Sequence, residues 1–263
     1  MSTTLPKLIV FITGASIGHN CWDEWKRYFE SKGYTTVAPV WPPKEFTAEE
    51  LRNRHPDEAV ASTRLTDMTE YFASLISDLP EQPILIGHSL GGLIVQLLLQ
   101  RGLGLAGVAV HSFPPYGSGL FKFSFIKEWW EALGFFSSAR TGYLISFSNW
   151  QRSIANGMSC EDQIQSYYAY AIPESKLLIR DVFTAQSKIN FKTPRAPLLL
   201  TSGSNDQLIP ASMGYNTYKN YKAFDFVTDY KDFEGHNHLV FGGSFWMEEA
   251  VFIWFWLQGI ENN

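Results

Sequence analysis

The chain has 263 residues, of which 45% are hydrophobic and 18% charged, with a net charge of -5. That length holds one large α/β domain with an insertion or two small domains, and the acidic balance argues against a nucleic-acid partner. Cys21 and Cys160 are the only cysteines, too few and too far apart for a disulfide framework or a metal cluster, so a reducing compartment fits best.

Met1 to Lys7 lacks a basic stretch followed by an apolar one, and a cytoplasmic location is expected. Leu8-Ile9-Val10-Phe11-Ile12 is a continuous apolar run, the mark of a strand covered on both faces in a parallel sheet. It ends at Thr13-Gly14-Ala15-Ser16. Trp25, Tyr28 and Phe29 then follow helical spacing up to Gly33, and Thr35 to Val40 reads as a second strand closed by Pro42 and Pro43. From Lys44 to Ala61 the sequence is charged and without clear period, which predicts a loop or a short helical excursion. Leu65, Met68, Phe72, Leu75, Ile76 and Leu79 mark an amphipathic helix that Ser62 or Thr63 could cap.

The stretch Pro83-Ile84-Leu85-Ile86-Gly87-His88-Ser89-Leu90-Gly91-Gly92 joins an apolar strand to a helix carrying Leu93, Ile94, Leu97 and Leu98 at core-facing spacing. A strand that turns at once into a helix leaves one residue strained at its tip, and glycines on either side let the backbone pass. Ser89 occupies that tip, its Oγ raised above the sheet and the Leu90 amide beside it. The pattern Gly-x-Ser-x-Gly alone is common; the strand before it and the helix after it make Ser89 the candidate nucleophile.

Gly107 to His111 is a fourth strand, and Pro197 to Ser202 and Phe226 to Phe233 are the fifth and sixth, before a closing helix from about Phe245 to Leu257. Six strands alternating with helices predict a doubly wound, mostly parallel sheet. The interval from Gly117 to Lys192 breaks the alternation. It carries helical patterns, such as Phe125 to Leu133 and Cys160 to Ala171, and is predicted to form a helical lid (117–192) over a core of 1–116 and 193–263.

A serine hydroxyl needs a base to take its proton and an acid to orient that base. Downstream of Ser89, one strand runs into Gly203-Ser204-Asn205-Asp206-Gln207-Leu208-Ile209-Pro210 and the next into Phe233-Glu234-Gly235-His236-Asn237-His238. Both loops fall at strand C-terminal ends, where a doubly wound fold assembles its site. On these segments and the Ser89 turn, the chain from Leu8 to Leu257 resembles the α/β-hydrolase superfamily. The last segment is similar to the Phe-x-Gly-Arg-x-His pattern of bacterial members. That resemblance implies Ser89 as nucleophile, Asp206 as acid and His238 as base, with His236, in the arginine's place, as the alternative base. It also maps the oxyanion donors onto the amides of Ala15 and Leu90, Ser16 being next in line, although Thr13-Gly14 replaces the superfamily's His-Gly pair.

His19, His55, His88 and His111 are expected to be structural or surface residues, and Asp181, Asp225, Asp229 and Asp232 solvated charges. No cofactor or metal is implied. The lid is rich in rings, and Phe121, Phe125, Trp129 and Trp130 are candidates for lining an acyl or aromatic pocket, beside the alternative that they only pack the lid on the sheet. Trp246, Phe252, Trp254, Phe255 and Trp256 spread around the last helix, which fits core packing with a homodimer or lid contact rather than membrane insertion. The activity expected is hydrolysis of an ester or related acyl bond of a hydrophobic small molecule. The resemblance also allows a cofactor-free oxygenase or lyase using the His/Asp pair, or a ligand receptor of low turnover.

Overall fold

The computed structural model describes residues 7–119, 123–243 and 245–261, and Phe121 lies outside them. Six strands form one sheet: β1 (Leu8–Ile12), β2 (Thr35–Val37), β3 (Ile84–His88), β4 (Ala106–Val110), β5 (Leu198–Gly203) and β6 (Thr228–Phe233). Their order is β2-β1-β3-β4-β5-β6 and every neighbouring pair is parallel. The chain first winds from β1 outward to β2, then returns to β3 and winds the other way. Neighbouring connections therefore diverge above β1 and β3, which opens a crevice at their C-terminal ends. Residues of β1, β3 and β4 are buried almost without exception, as continuous apolar runs require.

The helices, in chain order, are α1 (Asp23–Ser31), α2 (Ala48–Arg54), α3 (Glu58–Ser62), α4 (Leu65–Ser77), α5 (Leu90–Gln100), α6 (Phe123–Glu128), α7 (Trp130–Leu133), α8 (Phe147–Asn149), α9 (Cys160–Tyr170), α10 (Lys176–Val182), α11 (Ala211–Lys222) and α12 (Phe245–Glu261). Helix α1 packs with α12, while α5 packs on β3 and β4 and against α4. None of the described helices is long and apolar enough to cross a membrane.

Local chemistry explains where sequence expectation and structure part. The Lys44–Ala61 stretch forms α2 and α3 because Thr47 and Glu50 make a reciprocal capping box and the Asp57 carboxylate accepts from the Ala59 and Val60 amides. Helix α4 is not capped by Ser62 or Thr63. Its N-cap is Arg64, and the acceptor for the Leu65 amide comes from far away: Asp181, buried and paired with Arg64. Asp181 is thus no solvated charge, whereas Asp225, Asp229 and Asp232 are exposed. Strand β2 stops at Val37, three residues short of the apolar run.

Between β4 and β5 the described residues form helices and only two isolated bridges, Ile17 with Ala171 and Tyr143 with Glu174. This insert is stitched to the core at two edges of the crevice. On one side the Ile172 amide donates to Ser16 O (3.0 Å) and the Gly18 amide to Tyr170 O (2.8 Å). On the other, the Leu239 amide donates to Ile154 O (3.1 Å) and Asn237 Nδ2 to Asn156 O (2.8 Å).

Candidate active site

Ser89 sits between β3 and α5 with φ 56° and ψ -117°, a conformation uncommon for a residue bearing a side chain. The glycines around it are steric requirements: a Cβ on Gly87 would lie 2.2 Å from Gly91 O, and one on Gly91 would lie 2.0 Å from Ile12 O. The strained serine is held by its own backbone, since its amide donates to Val110 O and its carbonyl accepts from the Phe113 amide.

His238 Nε2 lies 3.1 Å from Ser89 Oγ, and its Nδ1 lies 2.7 Å from Asp206 Oδ2. A carboxylate only accepts, so Nδ1 carries the proton and Nε2 is left as an acceptor facing the serine hydroxyl. The other carboxylate oxygen, Oδ1, accepts from the Leu208 (2.9 Å) and Ile209 (2.7 Å) amides, which fixes the acid's orientation. All three side chains are buried.

The model of the alpha/beta hydrolase family matches residues 9–249, more than nine-tenths of the chain. The chain belongs to that family. A search of curated proteins finds no match. Among solved structures, the hydrolase is similar to a monoacylglycerol lipase of Paleococcus ferrophilus, at 21% identity and TM-score 0.67, covering 96% of this chain and 95% of that one. It is similar to a methylesterase of Arabidopsis (17%, TM-score 0.64, 94% and 97% covered). It is also similar to a pyrethroid hydrolase of Sphingobium faniae (16%, TM-score 0.66, 95% and 97% covered).

In this hydrolase the loop after β1 closes directly on Ser89: a Cβ on Gly14 would lie 2.9 Å from that of Ser89. Ala15 follows and lines the same cavity as His238, while Leu90 opens α5. The Ser16 amide points elsewhere. It donates to Glu174 Oε2 (3.1 Å), a buried carboxylate that also receives Lys44 Nζ (2.6 Å). Ser16 is therefore not free as a second-in-line donor. The Lys44–Glu174 pair joins the segment between β2 and α2, the Ala15 loop and the insert, and neither residue carries a local sequence signal for that role.

His236 does not reach Ser89. Its Nδ1 lies 3.0 Å from Glu249 Oε1 and its Nε2 3.1 Å from Glu248 Oε2, and its ring is stacked 5.1 Å from Phe233. Of the two histidines, His238 is the one whose ring reaches Ser89 Oγ among the described residues. His88 donates from Nε2 to His238 O (2.9 Å), and burial, with His238 and His111 nearby, pushes its pKa well below the ordinary value. It is a neutral prop for the His238 backbone. His111, expected to be structural or on the surface, is buried beside Asp206 and Glu249. His111, Asp206 and His238 bring ligand-type atoms within 4.8 Å of one another. Their contacts fit shared protons rather than a metal, because Asp206 already spends both oxygens on hydrogen bonds.

The cavity at His238 is lined by Ala15, Ile17, Trp129, Tyr143, Ile145 and Leu208, with Glu128 and Asn149 supplying polar groups. Of Phe125, Trp129 and Trp130, the described rings proposed for the pocket, Trp129 lines it, as does Tyr143. Phe125 is packed between Phe113 (5.3 Å) and Phe183 (5.8 Å), so it supports the insert from behind. Trp130 is 48% exposed beside Phe135 and Phe136 on the outside of α7. Adjacent positions on a helix diverge by about 100°, so Trp129 and Trp130 could not both face inward. Ser153 and Ile154 reach the cavity from a π-helical turn at Trp150–Ile154, a widening often found at functional sites.

Proposed function

We propose that this hydrolase cleaves an ester or related acyl bond of a hydrophobic small molecule through a Ser89–His238–Asp206 triad. The observation that carries the reading is the continuous hydrogen-bond chain from Ser89 Oγ through His238 (3.1 Å) to Asp206 (2.7 Å) at a strained elbow. The names of two structural relatives, a lipase and a methylesterase, agree with it.

Ser89 Oγ attacks the carbonyl carbon while His238 Nε2 takes its proton. The resulting oxyanion faces the amides of Ala15 and Leu90, which hold it where charge develops. The imidazolium then gives its proton to the departing alcohol oxygen, leaving an acyl group on Ser89. Water, deprotonated by His238, attacks that acyl carbon and returns the serine. Asp206 stays ionised throughout and stabilises the transient imidazolium. Residues 117–192 act as a helical lid whose inner face, with Trp129, Ile145 and Ile154, receives the acyl chain. The test is turnover of p-nitrophenyl esters by the wild type and by Ser89→Ala. Esterase activity lost with an unchanged circular dichroism spectrum supports the reading, and wild-type rates in the alanine variant overturn it.

A further inference from the structure

Behind Asp206 lies a group that the hydrogen-bond chain to Ser89 does not use. His111 follows β4 with φ 43°, a left-handed conformation rare in a residue with a side chain, and its ring is fully buried. Its Nδ1 lies 3.4 Å from Asp206 Oδ2, and its Nε2 lies 3.1 Å from Glu249 Oε1. Neither contact has the directionality of a hydrogen bond, so the ring lies against both carboxylates without a directed bond to either. The fold makes room for it: a Cβ on Gly203 of β5 would stand 2.7 Å from His111 Cε1. Both carboxylates that flank it are themselves fully buried.

From β3 comes His88, 6.4 Å away between ring centroids, and from the loop after β6 comes His238, at 6.3 Å. Asp206 follows β5, and Glu249 is on α12. Glu249 also takes His236 Nδ1 at 3.0 Å and Thr201 Oγ1 at 3.5 Å. More distant are exposed Asp232 on β6, which senses His111 electrostatically, and Glu248, the outer partner of His236. A neutral ring would leave two buried carboxylates on either side of it without a cation between them, an arrangement that proteins avoid.

We infer that His111 is a positioning residue that works as a buried imidazolium cation shared by Asp206 and Glu249, and that it sets the acid limit of activity by competing with His238 for Asp206 Oδ2. The role rests on the triad reading above. Burial alone would strip the ring of its proton, but Glu249 and Asp206 outweigh it and raise its pKa to about 10. Asp206 has the converse balance: burial disfavours its charge, yet His238 and His111 hold its carboxyl well below the usual carboxylate range. Both rings converge on the same oxygen, Asp206 Oδ2. A fixed cation there competes with the positive charge that forms on His238 for the same carboxylate oxygen.

The experiment has two arms. The pH profile of kcat/KM for p-nitrophenyl butyrate is compared between wild type and His111→Gln. Its acid limb should move to higher pH by about one unit in the variant, with KM changed less than about twofold. A purely structural role would lower stability and leave the limb in place. Histidine-selective NMR of the wild type forms the second arm and does not depend on a variant folding. The His111 ring should carry two N–H groups at pH 8, and in Glu249→Gln it should lose one at lower pH than in wild type. An unmoved acid limb in active His111→Gln, or a neutral His111 ring at pH 8 in the wild type, overturns the inference. A wild type that turns over no ester instead marks failure of the triad reading, since the NMR arm still decides the charge on His111.

Discussion

Glu174 offers a test of how the Ala15 loop is held, because one buried carboxylate oxygen serves both Ser16 N (3.1 Å) and Lys44 Nζ (2.6 Å). Lys44→Met removes the cation and leaves the carboxylate buried without its counter-charge. Breaking such a pair by deleting one partner costs about 3–5 kcal/mol, far more than the pair's net contribution relative to apolar residues of similar volume. At about 2–4 °C per kcal/mol for a chain of this size, the Tm in differential scanning calorimetry should fall by roughly 6–20 °C. Converting the carboxylate to an amide in the same chain, Lys44→Met with Glu174→Gln, should recover much of that loss. The amide is neutral and its carbonyl can still accept from Ser16, but its NH2 then faces the Ser175 amide from which Oε1 accepts in the wild type, so the recovery is partial. The double variant should also keep more ester turnover than the single one, since the loop carrying the Ala15 amide stays anchored. A Tm change below about 2 °C in Lys44→Met, or a double variant less stable than the single, would refute the assignment of a buried ion pair as the loop's anchor.

His238→Ala should lower kcat by about 10⁴-fold, whereas His236→Ala, which loses contacts to Glu249 and Glu248 but none to Ser89, should change it by less than about tenfold. The reverse ranking in steady-state kinetics would move the base. Lengthening the acyl chain adds about 0.8 kcal/mol of transfer free energy per buried methylene, so kcat/KM should rise from acetyl to octanoyl esters until the cavity fills. Trp129→Ala should blunt that rise while Trp130→Ala leaves it unchanged, and equal effects of the two would show the cavity assignment to be wrong. Asp206 has a folded pKa below its unfolded one, so its ionised form stabilises the fold above about pH 4 and that contribution fades as pH falls further. The Tm gap between wild type and Asp206→Asn, followed from pH 7 to pH 3, should therefore narrow with acid; a gap that widens contradicts the sign.

Most of the sheet was legible because a buried parallel strand is written locally: Leu8–Ile12, Ile84–Ile86 and Leu198–Leu200 are apolar runs with a glycine within three residues of their ends. The Ser89 turn, too, was legible, since its steric demands fall on Gly87 and Gly91 within five residues. What stayed hidden depends on partners remote in sequence. Asp181 caps a helix that starts 116 residues earlier, and no spacing links the two. Glu249 pairs with His111 from within an aromatic-rich helix, where a glutamate reads as part of a solvated face. The rings between β4 and β5 were ambiguous for a different reason. Neighbours such as Trp129 and Trp130 are equally apolar, and only the packing of α6 and α7 decides which one turns inward.

The most direct measurement of the proposed triad is covalent trapping. Wild-type protein treated with a fluorophosphonate should gain the mass of one phosphonyl group, located on Ser89 by peptide mass spectrometry, with loss of ester turnover in step with labelling. His238→Ala should label far more slowly, because the hydroxyl then has no base. Labelling at another residue, or at an equal rate in His238→Ala, would contradict a serine nucleophile activated through His238 and Asp206.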